Sequence, residues 1–321
     1  MKCSEKQKDW QLEFGFHGFE LDDEHCDLGS GLVVTRVKFP LEETDPISAF
    51  IIKMFFFFKV FPTVFLKTQM RNKTENALNS EIFVLGRLFL LLGRGSVQTT
   101  SYYRILPEGE TKWREITTSS SFHTMSASYR INCDKIPQIK WMIGALLPTL
   151  RDILGKTLVS KEAQPIIIAL KRYHDAIVRH LDFDDTFLFG INCLESLFLK
   201  SNETQELMFR VQNRVSLLFS HFEDFSPLQV RDNIRSAYKA RNKIAHGGTI
   251  LQKDRKGLRS VHVNLQNYAR LSIQIFVQLL SIFPKNNLID KLDEAFVDRS
   301  AREDIRNLIH QQDVRILSLN N

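Results

Sequence analysis

The chain is 321 residues long with 43 Lys and Arg against 37 Asp and Glu, a formal net charge of +6. That length holds two domains of ordinary size, and the mild basic excess favours polyanions without demanding them. Its four cysteines, Cys3, Cys26, Cys133 and Cys193, contain no Cys-x-x-Cys pair, which argues against a zinc ribbon or a disulfide framework and fits a reducing cytoplasm. Residues 1–10 have no apolar core of the kind a signal peptide needs. In chain order, Trp10, Leu12, Phe14 and Phe16 alternate with small or polar residues, the period of a half-buried strand, and residues 31–39 predict a second strand. His17, His25 and Cys26 stand beside Asp22, Asp23, Glu24 and Asp27 without a metal-ligand spacing and read as an acidic surface loop, with no metal expected. The phenylalanine-rich run 50–62 reads as a core helix, because Lys53, Lys59 and Pro62 interrupt it well short of the roughly 20 apolar residues of a membrane span. A helix over 81–92 ends at Gly93-Arg-Gly95, and strands are expected over 97–106, 113–118 and 126–133.

From Pro137 the strand signals fade, which sets a domain boundary near residue 135. The expected architecture is an α+β domain with a small antiparallel sheet over 1–135, followed by an all-α bundle over 136–321. The helical patterns are 141–153 with Pro148 inside; Ile166, Leu170, Tyr173, Ile177 and Leu181; Ile191, Leu194 and Phe198; and Met208, Val211, Val215, Leu218 and Phe222. A further helix ends at His246, residues 250–260 read as a charged connector, a fifth helix spans Leu265 to Ile282, and one amphipathic helix around Leu288, Leu292 and Phe296 onwards ends the chain.

The most informative stretch is the helix end carrying Arg241, Asn242 and His246, stopped by Gly247 and Gly248. Glycine takes the left-handed conformation that closes a helix at little steric cost. Val230, Ile234 and Ala237 recur at three- and four-residue spacing and Arg241 continues their stripe, so a guanidinium is aimed inward and needs an anion or a solvated cleft. Asn242 and His246, four apart, share a face, whereas Arg241 and His246 do not. Glu195 has apolar helical neighbours in Leu188, Ile191, Phe198 and Leu199, and Arg241 is its economical partner, in a bidentate bond. On the residues alone, a structural ion pair with a capping histidine stays open beside a functional site.

Arg241-Asn242, three residues, then His246-Gly247 resembles the signature of the HEPN superfamily, and features upstream resemble its Apea-like branch. These are Arg172-Tyr173, then Leu194-Glu195-Ser196-Leu197, then Arg210 and Arg214, then Tyr238 leading into the motif, so the likeness covers about residues 165–285. The resemblance implies a helical bundle, commonly dimeric, acting as a metal-independent endoribonuclease that needs no cofactor. It also implies a defence or toxin setting, in which a regulatory partner or antitoxin restrains the nuclease. The alternative within the same family is a non-catalytic module binding RNA, a nucleotide or a partner protein.

The chemistry expected is attack of the ribose 2′-hydroxyl on its own phosphodiester. Histidine is the side chain whose unperturbed pKa lies near working pH, so His246 can serve in proton transfer. Arg241 stays charged and clamps the phosphate. Asn242 orients the imidazole or the ribose, Glu195 pins Arg241, and Lys239 and Lys243 meet the RNA backbone. One histidine per chain, in a reaction needing both acid and base, makes a homodimer through the helical domain the expected assembly, in the cytoplasm and away from membranes.

Overall fold

The structure is a computed structural model that describes residues 8–17, 19–21, 23–36, 64–73, 75–93, 98–105, 111–114, 129–155, 160–178, 183–280 and 282–317. The chain divides into two compact units, residues 1–155 with 317–321, and residues 156–316.

The first unit contains strands β1 (Lys8–His17), β2 (Phe19–Leu21), β3 (His25–Asp27), β4 (Val33–Arg36), β5 (Val64–Lys73), β6 (Gln98–Ile105), β7 (Thr111–Arg114) and β8 (Tyr129–Ile131), with helices α1 (Glu75–Leu92) and α2 (Ile136–Leu154). Six strands form a sheet ordered β3-β4-β5-β1-β6-β7, every neighbouring pair antiparallel. The alternating segment at Trp10 is a central strand. Its partner β5 was not legible, because 64–73 has no apolar–polar alternation, Val64 to Leu66 being followed by mostly polar residues, and only pairing with β1 and β4 makes it a strand.

Three expectations change here. The segment around 129–131 pairs in parallel with β2 in a separate two-stranded sheet, since backbone pairing rather than side-chain pattern decides its partner. Residues 25–27 are an edge strand with Cys26 buried, not a loop, although Asp23 and Glu24 before them are exposed. Helix α2 belongs to the first unit, so the division falls at Gly155 and Lys156 and not near 135. The cause is visible in one contact: Arg151 on α2 grips the buried Glu81 on α1, with Nε 3.0 and 3.1 Å from the two carboxylate oxygens and Nη2 2.5 Å from Oε1. Pro148 lies within the helix. The phenylalanine-rich run 50–62 lies outside the described residues, as do 37–39, 115–118 and 126–128 of the expected strands. No described helix is long and apolar enough to cross a membrane.

The second unit is helical among its described residues: α3 (Gln164–Val178), α4 (Phe183–Phe198), α5 (Leu207–Phe219), α6 (Pro227–Ala245), α7 (Gln252–Leu279), α8 (Lys285–Glu294) and α9 (Arg299–Gln311). Helix α7 is the axis of the unit. Its residues 267–277 are buried on every side, a pattern that marks a central helix. The charged segment 252–260 is not a connector but the first turns of α7, since Lys, Arg and Gln propagate a helix well on an exposed face. The closing amphipathic stretch is two helices, broken at Ala295 to Asp298, where Asp298 caps α9 by accepting from the Ser300 backbone N–H.

Candidate functional site

Helix α6 opens with Pro227 at its first position, where the missing N–H costs nothing, and packs Val230, Ile234, Ala237 and Tyr238 inward. It closes as a Schellman motif: Gly247 N–H donates to the Ile244 carbonyl at 2.9 Å and Gly248 N–H to the Lys243 carbonyl at 2.9 Å. Gly247 has φ +81°, the left-handed conformation that the paired glycines predict. His246 is therefore the capping residue one position beyond the helix. It is exposed, and no described side chain hydrogen-bonds its ring.

Arg241 stands five residues earlier, and its Nη2 lies 3.7 Å from Oε2 of Glu195 on α4. The ion pair read from the two misplaced charges is present, but it is a single long contact and not the bidentate bond expected. Tyr238 shares the same carboxylate: its hydroxyl, three residues before Arg241 on the same helix, donates to Glu195 Oε1 at 2.6 Å. Burial, then this bond to the Glu195 carboxylate, drives the Tyr238 hydroxyl well above the usual phenol range. Asn192, with its amide nitrogen turned toward Glu195, donates to Oε2 at 3.3 Å and to the Leu188 carbonyl at 3.3 Å.

The remaining donors of Arg241 are loosely used. Nη1 donates to Asn242 Oδ1 at 3.2 Å, and Nε is buried with no hydrogen-bond partner among the described residues. Asn242 is thus turned to the arginine, although its backbone carbonyl does accept from His246 N–H at 3.1 Å. Lys239 and Lys243 are exposed and form no ion pair among the described residues. Arg241, Glu195 and Asn242 are brought together, with Tyr238 as the member whose role sequence reasoning missed. Spacing was the available signal, since residue 238 lies three before 241 on one helix.

The loop leaving this helix end is tied down. Asp184, in the first turn of α4, accepts from Ile250 N–H at 3.0 Å and from Arg255 Nη2 at 3.3 Å, while Arg255 lies 5.5 Å from the centre of the Phe183 ring.

A second ionic cluster lies in the same unit. Arg214 on α5 is 0% exposed, and its fork meets two carboxylates and a carbonyl: Asp293 at 2.7 and 2.6 Å, Glu203 at 2.7 and 2.6 Å, and the Phe198 carbonyl at 2.7 Å. The hydrogen bonds from Arg214 hold the Glu203 carboxyl down at about 2. Burial works against the Arg214 charge, yet its bonds to Glu203 and Asp293 leave it above its ordinary value. Arg210 joins Glu203 at 3.1 Å, so both spaced arginines of the third helical pattern are engaged with the same carboxylate. Among the described residues, no three His, Cys, Asp or Glu side chains converge as a metal-holding group. No protein-family model, curated protein or solved structure matches the chain.

Proposed function

We propose that the chain is a HEPN-type endoribonuclease that cleaves RNA by 2′-hydroxyl attack. The observation that carries the reading is Arg241: a guanidinium held at a partly exposed helix end, its charge opposed by one carboxylate at 3.7 Å, its Nη1 spent only on Asn242 at 3.2 Å, and its backbone leading in five residues to the exposed His246. A permanent cation with donors only partly used, on the helix that ends in His246, suits a phosphate oxygen that gains charge in the transition state. The HEPN resemblance of the motif supplies the reaction class.

In the proposed step, the 2′-oxygen bonds to phosphorus and the bond from phosphorus to the 5′-oxygen breaks. A neutral His246 takes the 2′-hydroxyl proton, and a protonated His246 from a second copy of the chain returns one to the 5′-oxygen, leaving a 2′,3′-cyclic phosphate. Arg241 carries the phosphorane charge, so no metal is required. Glu195 and Tyr238 act as positioning residues for Arg241. Purified full-length chain incubated with a mixed RNA pool, with and without EDTA, should give chelator-resistant cleavage and cyclic-phosphate ends. Cleavage that EDTA abolishes, or 5′-phosphate products, would overturn the mechanism. Binding without cleavage by a dimeric chain would leave the non-catalytic alternative.

A further inference from the structure

The proposed site accounts for one end of α6, yet the basic character of this helix runs well beyond it. Arg231, Arg235, Lys239 and Lys243 fall every fourth residue, which places them along one ridge of the helix about 18 Å long at 1.5 Å per residue. Lys239 and Lys243 are exposed, and the Arg231 and Arg235 side chains are 37% and 42% exposed. The helix carries a single acid, Asp232, at 3.5 Å from Arg231 Nε and 3.9 Å from Arg235 Nη1. With Arg241 included, five cations stand against one anion on this element.

An aromatic side chain lies next to this ridge. Helices α5 and α6 are joined by residues 220–226 alone, so they run antiparallel. Arg235 Nε donates to Gln212 Oε1 on α5 at 3.3 Å, which sets their register. One turn toward the start of α5 from Gln212 is Phe209, and one turn toward the end of α6 from Arg235 is Lys239. Phe209 is 58% exposed on a helix otherwise half-buried or buried, one turn from the Gln212 that bonds Arg235 of the ridge.

We infer that the outer ridge of α6 and the Phe209 ring form a track for single-stranded RNA, the lysines and arginines following the phosphates and Phe209 stacking one base. The inference rests on the RNA reading of the Arg241 site and adds the form of the substrate. A basic groove with an exposed aromatic is the arrangement by which proteins hold unpaired strands, because every base has a face to stack while a duplex hides its bases.

The test is fluorescence anisotropy with a short fluorescein-labelled oligouridine and an RNA duplex of equal length, using the full chain carrying His246→Ala so that the RNA survives. The single strand should bind more tightly than the duplex. Lys239→Gln and Arg231→Gln should each reduce the slope of log affinity against log salt by about 0.7. Phe209→Ala should weaken binding about 5- to 150-fold with the salt slope unchanged, and Phe209→Trp should restore it. Lys171→Gln, an exposed charge on α3, should change nothing. Thermal unfolding of each variant separates lost binding from lost structure.

Equal affinity for duplex, or slopes indifferent to these variants, overturns the track. If the unmutated chain nevertheless cleaves RNA, the endoribonuclease reading survives that failure. Track-dependent binding without cleavage keeps the track and removes the nuclease. No RNA affinity in any variant overturns the inference.

Discussion

Two arginines on neighbouring helices meet the same physical cost in opposite ways. Arg214 is withdrawn from solvent completely and recovers the loss through Asp293, Glu203 and the Phe198 carbonyl, which together use its whole fork of donors. Lys285 completes the same corner, capping α4 by donating to the Ser196 carbonyl at 2.8 Å and to the Leu199 carbonyl, with burial pulling its ammonium down to about 8. Arg241 is 28% exposed, paired at 3.7 Å, and keeps Nε unpaired. The first arrangement has nothing left to offer a ligand and can only hold helices together. The second holds its guanidinium at a partly exposed edge with its donors only partly used, as the proposed contact with a phosphate would need. Full burial with every donor satisfied is what makes Arg214 a strut between helices.

The largest expected effect breaks the comparison from the structural side. Arg214→Met leaves Asp293 without its cation and Glu203 with Arg210 alone, and should cost about 3–5 kcal/mol in urea denaturation. Arg241→Ala should leave the denaturation midpoint nearly unchanged and lower the turnover of RNA cleavage about 10²–10³-fold, the range found when a donor to a developing oxyanion is removed. Equal losses of stability in the two variants would erase the distinction.

Acid titration sharpens it. The folded-state pKa of Glu203 is depressed, so the stability it contributes is complete above the unfolded value near 4.5 and is lost as pH falls through about 2. His221 and His262 are both held down to about 4, His221 by burial and then by Arg306, His262 by burial. For these rings the unfolded chain binds protons first, so stability is complete above about 6.5 and falls as pH drops toward 4. Melting temperature followed by circular dichroism should therefore decline in two stages. Arg214→Met should flatten the lower stage, and His262→Phe should reduce the upper one.

The smallest effects belong to the open site. Glu195→Gln keeps an oxygen for the Tyr238 hydroxyl and removes only a partly exposed ion pair, so it should cost at most about 1 kcal/mol, well below the loss expected of a fully buried pair. Gly247→Ala, forced to φ +81°, should cost about 1 kcal/mol, with Gly247→Asn milder because asparagine tolerates that region. Urea titrations of both variants read these changes directly.

Much of the local structure is determined by the sequence alone. The period of two around Trp10 marks a strand, the stripe Val230, Ile234 and Ala237 orients α6, and the paired glycines after His246 end that helix, because each depends on neighbours within a turn or two. Charge placement against apolar surroundings was also enough to pair Glu195 with Arg241, since an isolated buried charge must find a partner. Only the tertiary structure decided what depends on distant chain segments. Strand β5 exists through its pairing with β1 and β4, α2 joins the first unit through Glu81 and Arg151, and the charged run at 252–260 is the exposed start of a helix buried farther along. In the same way Glu195 meets the Tyr238 hydroxyl at 2.6 Å and Arg241 through a single long contact. A residue's spacing fixes the face on which it lies, but competition among donors for one carboxylate is settled only when the helices come together.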